Sequence, residues 1–180
     1  RHGYTQLMSR PRSAWLLPTL AYYAIFLGFG MVLASLGPTI PGLAAQTTAT
    51  LSALSLVFVA RSTGYLCGAL LGGRLFDRFP GHPLMALMLA GIGASMAAVP
   101  LCSTLATLTA IFILLGVSEG ALDAGGNTLL SWTHADNLGP WMNGLHLAFG
   151  VGALLSPLIV VAVMGEDGSV ANAYWVLAAA

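Results

Sequence analysis

The chain has 180 residues, 57% of them hydrophobic and only 7% charged, with six arginines set against six acids and no lysine. A soluble domain is nearer a quarter charged, so this composition excludes an ordinary soluble protein and indicates an integral membrane protein, which the long apolar runs described below make all-α. The net charge of zero carries no basic run that would suggest nucleic acid.

Residues 1–13 are polar and basic and read as a cytosolic tail. From residue 14 on, the chain reads as one transmembrane bundle, 14–180. The first apolar run, about 14–36, is too long for a signal-peptide core and is taken as a spanning helix, broken by Gly37-Pro38 and Pro41-Gly42. Further spans are expected at about 51–75, 83–101, 103–132 and 140–164. A sixth begins at about 171 and stops at 180, roughly half of the ~20 residues a crossing needs. With the N-terminus inside, the tail and the loops after the second and fourth spans face the cytosol. These segments hold Arg1, Arg10, Arg12, Arg74 and Arg78, and the opposite loops hold no arginine. The positive-inside rule then predicts a multi-pass protein of the cell membrane with a cytosolic N-terminus.

Cys67 and Cys102 fall at different depths and are expected to pack rather than to pair. Small residues recur four apart: Gly64, Gly68 and Gly72 in the second span, Gly116 and Gly120 in the fourth, Gly152 and Ser156 in the fifth. In lipid such steps let helix backbones approach closely, and the second span is where this is most expected.

The fourth span carries the chemistry. Between Leu105 and Leu130 it has eleven Leu, Ile, Val or Phe residues, yet also Glu119, Asp123 and Asn127 in steps of four. The apolar residues favour insertion by roughly 3 to 6 kcal/mol, while two ionised acids near the centre cost roughly 5 to 7. The acids therefore need partners, protons or water, and intramembrane carboxylates are functional candidates by default. Arg61 is thirteen residues before Arg74, and Glu119 thirteen before Trp132, which places both about 20 Å from the cytosolic ends of their helices. Depth thus pairs Arg61 with Glu119. The same reasoning levels His146 with Asp123 and Asn143 with Asn127. His146 is weighed against a packing role, and Arg61 against a purely structural clamp. On the first span Tyr23 and Phe26, beside Tyr22 and Phe29, are candidates for stacking on a solute, against ordinary aromatic packing.

No Walker loop, metalloprotease helix or nucleophile elbow is present, so no enzyme, no metal site and no cofactor is expected. Glu119 and Asp123 share one helix, whereas aspartyl chemistry needs two carboxylates facing each other from separate elements.

The turn Gly73-Arg74-Leu75-Phe76-Asp77-Arg78-Phe79-Pro80-Gly81 resembles the loop between spans two and three of the major facilitator superfamily, with Gly73, Leu75, Asp77 and Arg78 matching. It departs from that pattern by one extra residue before Gly81 and by His82-Pro83 where a basic pair is usual. Within the superfamily, Gly120 to Asn127 and the run Asn143 to Pro157 resemble the branch of fucose permeases and sodium-dependent glucose transporters. The resemblance implies the N-terminal six-helix bundle of that fold, its sixth helix truncated, working with an absent C-terminal half. It implies spans one and four lining a central cavity, a cytosolic gate at Gly73, Asp77 and Arg78, and a fourth-span acid, best matched by Glu119, in coupling. It also implies secondary active transport of a sugar or sugar-like solute by alternating access, coupled to H+ or Na+. A facilitator of another small solute, a drug or organic ion, is the alternative; a non-transporting scaffold of the same fold has no reason to retain buried acids.

Overall fold

The computed structural model describes residues 13–164 and 169–179, and it is helical along nearly all of them. The helices are α1 (Ser13–Ala34), α2 (Leu36–Thr47), α3 (Ser55–Arg78), α4 (Gly81–Ala98), α5 (Leu105–Thr133), α6 (Leu138–Val163) and α7 (Ala171–Ala179), with a 3-10 turn, Val99–Leu101, closing α4. Five of them, α1 and α3 to α6, are long and apolar enough to cross a membrane. Their outer faces leave Leu66, Leu70, Leu154, Leu158 and Val161 exposed, as lipid-facing surfaces require.

The first span differs from expectation in where it breaks. The proline pairs at 37–38 and 41–42 lie inside the helical segment α2, and the break falls earlier, at Ser35. A proline disturbs the carbonyl four residues before it, by ring clash and by its missing N–H. For Pro38 that carbonyl belongs to Ala34, the last residue of α1. Ser35 closes the joint by donating its N–H and its hydroxyl to Val32 O, at 3.3 and 2.8 Å. Pro38 itself sits in the first turn of α2, where no N–H is needed. Thr39 supports the new start by donating to Ser35 O at 2.9 Å. The α2 segment ends on Thr48, whose φ of 51° is left-handed.

Hydrogen bonds between elements show which loops share an end. At one end, the first half of α1 meets the loop after α5 through Thr19 and His134 (2.6 Å) and the start of α4 through Tyr22 and His82 (3.1 Å). At the other, Gln46 of α2 donates to Val99 O (2.9 Å) and Cys102 O (2.6 Å), and Thr39 bonds the Tyr174 hydroxyl of α7 (2.8 Å). The loops after α2 and after α3 therefore lie at opposite ends, with Arg74 and Arg78 near the end where α1 starts. Arg1, Arg10 and Arg12 lie outside the described residues. Of the two cysteines, both unpaired, Cys102 is buried but Cys67 is exposed on the outer face of α3 rather than packed inside.

Two helix pairs build the bundle. In the α3–α5 pair, a Cβ on Gly68 would fall 2.0 Å from Val117 O, and one on Gly120 2.0 Å from Tyr65 O. In the α1–α6 pair, a Cβ on Gly152 would fall 1.9 Å from Leu27 O, and one on Gly30 2.1 Å from Phe149 O. These are backbone-to-backbone contacts that no larger residue permits. Helix α4 covers another side of α5 and carries α7.

Candidate functional site

Helices α3 and α5 run parallel in the register set by their glycines, so side chains four apart on each meet in succession. Arg61 Nε donates to Glu119 Oε2 at 2.8 Å, and Arg61 Nη2 donates to Glu119 Oε1. The remaining donors reach the end of α1: Nη1 to Leu33 O at 3.0 Å and Nη2 to Val32 O at 3.1 Å. The guanidinium also lies over the Phe112 ring, 5.9 Å from its centroid. Glu119 has no exposure and Arg61 only 7%. This is a two-pronged charge pair with both carboxylate oxygens occupied, the geometry in which a buried pair offsets its desolvation cost.

One turn along, Tyr65 donates its hydroxyl to Asp123 Oδ2 at 2.5 Å. Asn127 donates to Asp123 Oδ1 at 2.9 Å and to Asp123 O at 2.8 Å. Asp123 is only partly buried. Its partners are neutral donors, and among the described residues no cation bonds it.

Both acids border a cavity of about 460 Å³ between the two helix pairs. Phe26 and Phe29 of α1 with Phe149 of α6 form an aromatic wall; Arg61, Ser62, Tyr65, Glu119 and Asp123 form the polar wall opposite. His146 stands at the cavity's edge without a hydrogen bond to Asp123 among the described residues; Tyr65 and Asn127 fill the place that depth suggested for it.

The structure thus brings Arg61, Glu119, Asp123, His146 and Phe26 together, with Asn127 behind Asp123. It does not bring Tyr23 or Asn143 to the cavity. Tyr23 donates to Trp141 O at 2.8 Å and so joins α1 to α6; Asn143 is exposed on α6. Gly73, Asp77 and Arg78 are exposed at the end of α3, where no described side chain closes over them. Tyr65, Ser62 and Phe149 were missed from the sequence. The signal for Tyr65 was present: it follows Arg61 by four, as Asp123 follows Glu119 by four, and both pairs are 58 residues apart.

A second polar cluster lies at the end where α1 starts. The Thr19 hydroxyl lies within hydrogen-bond distance of both Trp15 O, at 2.7 Å, and His134 Nε2, at 2.6 Å. The His134 ring stacks on Trp141 at 4.2 Å and meets Trp15 edge-on at 6.3 Å. Burial pushes the His134 pKa below its ordinary value.

The sequence matches the Major Facilitator Superfamily over residues 19–180. The chain belongs to the major facilitator superfamily. It is 41% identical over 158 residues to sodium-dependent glucose transporter 1 of Danio rerio, covering 88% of this chain and 26% of that protein. It is 40% identical over 154 residues to the protein of the same name from Rattus norvegicus, covering 86% and 32%. Human major facilitator superfamily domain-containing protein 4A is 35% identical over 153 residues, covering 84% and 30%. The chain therefore spans about a quarter to a third of the length of these relatives. As a superfamily member with five membrane-length helices it is a multi-pass membrane protein, and its helical bundle fits the N-terminal half of that fold.

Proposed function

We propose that this chain supplies the N-terminal half of a sodium-coupled sugar transporter that works by alternating access, with the solute held in the cavity between α1–α6 and α3–α5. The observation that carries this is the two-sided cavity. A pyranose presents apolar C–H faces and a rim of hydroxyls, and here an aromatic wall faces a wall of acids, a guanidinium, a phenol and a hydroxyl. Its position between helix pairs agrees with solute sites near the bilayer midplane. The names of the sodium-dependent glucose transporter relatives support both the sugar and the sodium.

Roles among the candidate residues follow from their partners. Sequence depth favours Glu119 as the coupling acid, but Glu119 is already neutralised by Arg61 and shut from solvent. The polar wall holds one arginine and two acids, and because Arg61 pairs with Glu119, Asp123 is the acid left without a cationic partner among the described residues. A monovalent cation at Asp123 would balance it, so we assign ion coupling to Asp123 with Tyr65 and Asn127 as its positioning residues. Glu119 and Arg61 line the solute space, and His146 stands where it can meet a solute hydroxyl. We assign Asn143, which is exposed on α6, to contact with the other half of the transporter. Gly73, Asp77 and Arg78 are exposed on the cytosolic end, free to meet that same half as a gate. We place residues 1–13 in the cytosol, residues 14–180 in the bundle, and the protein in the cell membrane. No enzymatic step and no resident cofactor belongs to this cycle.

The test is uptake of labelled glucose by the full-length protein in proteoliposomes, with an inward sodium gradient or with choline in its place. Concentrative uptake only with sodium, lost in Asp123→Asn while glucose binding persists, is the expected result. Equal uptake in choline, or accumulation by Asp123→Asn at the wild-type level, overturns the coupling assignment. No saturable glucose uptake or binding overturns the sugar reading.

A further inference from the structure

Arg61 does more than neutralise Glu119. Its donors are shared between that carboxylate and the carbonyls of Val32 and Leu33, which close α1 just before the Ser35 joint. We propose that Arg61 is a strut that ties Glu119 to the end of α1, so that opening the Arg61–Glu119 pair frees the joint at Ser35 and lets α2 move as an outer gate. The proposal rests on reading the cavity as the solute site.

The joint is a weak point by construction. The missing N–H of Pro38 removes one bond of continuous helix, and the bonds that replace it run from Ser35 to a single acceptor, Val32 O. A helix C-terminus carries partial negative charge, and a guanidinium set against it is a favourable cap. The end of α1 is fastened on its other side by Ser156, which donates to Met31 O at 2.6 Å. That bond is neutral and lies one residue further from the joint. Beyond the joint, α2 is tied elsewhere: Thr39 to Tyr174, and Gln46 to Val99 and Cys102. Among the described residues, the Arg61 guanidinium is the charged link between the cavity wall and the end of α1.

The cavity supplies the trigger. Arg61 borders the cavity and keeps a little exposure while Glu119 has none, so the hydroxyls of a solute compete with Glu119 and the α1 carbonyls for the guanidinium N–H groups. When one of the paired bonds is replaced, the guanidinium must tilt, because its donors form one rigid plane. A tilt that follows the carboxylate or the solute draws the Nη groups from Val32 and Leu33. Solute arrival is thereby converted into release of the α1 end, some distance from the solute itself.

The experiment uses the full-length transporter, cysteine-free, in nanodiscs, with spin labels at Ala45→Cys on α2 and Ala106→Cys on α5; both sites are exposed. A reference pair at Leu66→Cys and Ala106→Cys spans α3 and α5. We expect Glu119→Gln to shift the ratio of displaced to resting α2 by roughly tenfold, the size of an ordinary allosteric coupling, without moving the reference pair. Arg61→Lys, which keeps the charge but not the fork, should behave the same way. The double variant Arg61→Met, Glu119→Leu removes the strut without stranding a buried charge, and it keeps the test readable if the single variants fold poorly. An unchanged α2 distance in that folded double variant overturns the proposal. So does equal broadening of both label pairs, which would mean general loosening. The distances need no transported substrate, so absent glucose uptake would sink the sugar reading while leaving the strut result to be read.

Discussion

The α3–α5 and α1–α6 pairs both bring backbones together through small residues, yet they differ in what they bury along the seam. Between α3 and α5, glycines at 64, 68, 72, 116 and 120 set the spacing, and a full charge pair and a phenol–carboxylate bond follow in the same register. Between α1 and α6, Gly30 and Gly152 set the spacing, and the polar links are neutral: Ser156 to Met31 O and Tyr23 to Trp141 O. Close approach is thus a matter of side-chain size and is shared, as expected in lipid, where packing rather than hydrophobic drive holds helices together. Charge is confined to one seam, and that seam forms the polar wall of the cavity. The uncharged pair provides the aromatic wall. Division of labour between the pairs, rather than either pair alone, makes the cavity two-sided.

The comparison breaks most severely if the shared feature is removed. Gly68→Leu and Gly152→Leu each force a side chain into a carbonyl at about 2 Å, and neither is expected to give a monodisperse folded protein by size-exclusion chromatography in detergent. If either gives a wild-type elution profile and melting curve, the seams are more yielding than their geometry indicates.

Next in size is the feature the pairs do not share. Glu119→Ala strands Arg61 in the interior and should cost about 3 to 5 kcal/mol. Arg61→Met combined with Glu119→Leu should cost clearly less than the sum of the single losses, a coupling that a double-mutant cycle on thermal unfolding measures. Strict additivity would mean that the pair contributes no mutual interaction. On the neutral seam, Ser156→Ala should cost only about 1 kcal/mol, because one neutral bond is lost and Met31 O keeps its place in the helix. A loss as large as that of Glu119→Ala would erase the distinction between the seams.

Tyr65→Phe sharpens the contrast within the charged seam. It leaves packing intact and removes one donor from Asp123, so stability should fall by about 1 to 2 kcal/mol while sodium activation moves to higher concentration. Unchanged sodium dependence of uptake would detach Tyr65 from coupling.

The smallest effect is a pH dependence at the end where α1 starts. His134 has its folded pKa below its unfolded value near 6.5 because burial disfavours the charged ring. Below about 6.5 the unfolded chain binds the proton more readily, so stability from this group is complete above that pH and declines as pH falls toward the folded pKa. Melting temperature should therefore rise modestly from pH 5 to pH 7.5, and His134→Gln should flatten that part of the profile. An identical slope in the variant would assign the dependence to other groups.

Composition indicated a membrane protein, because 7% charge is far below that of a soluble surface, and the apolar runs of about twenty residues made it helical. Hydropathy located the five long helices to within a few residues, since each must bury its own backbone hydrogen bonds in lipid. The meeting of Arg61 with Glu119 was legible too, because two parallel helices of known pitch bring buried charges at equal depth within reach. Depth does not fix rotation about the helix axis, however. That is why Tyr23 and Asn143, both at suitable heights, are not among the residues that line the cavity, and why Tyr65 took the place at Asp123 that height alone gave to His146. The break in the first span moved for a related reason: a proline acts on the carbonyl one turn before it, so sequence marks the cause at Pro38 while the chain bends at Ser35. Sequence by itself determined which groups must be buried and at what height. Only the tertiary structure decided which of them face each other, because the glycine contacts that set each helix's rotation are made between elements distant in the chain.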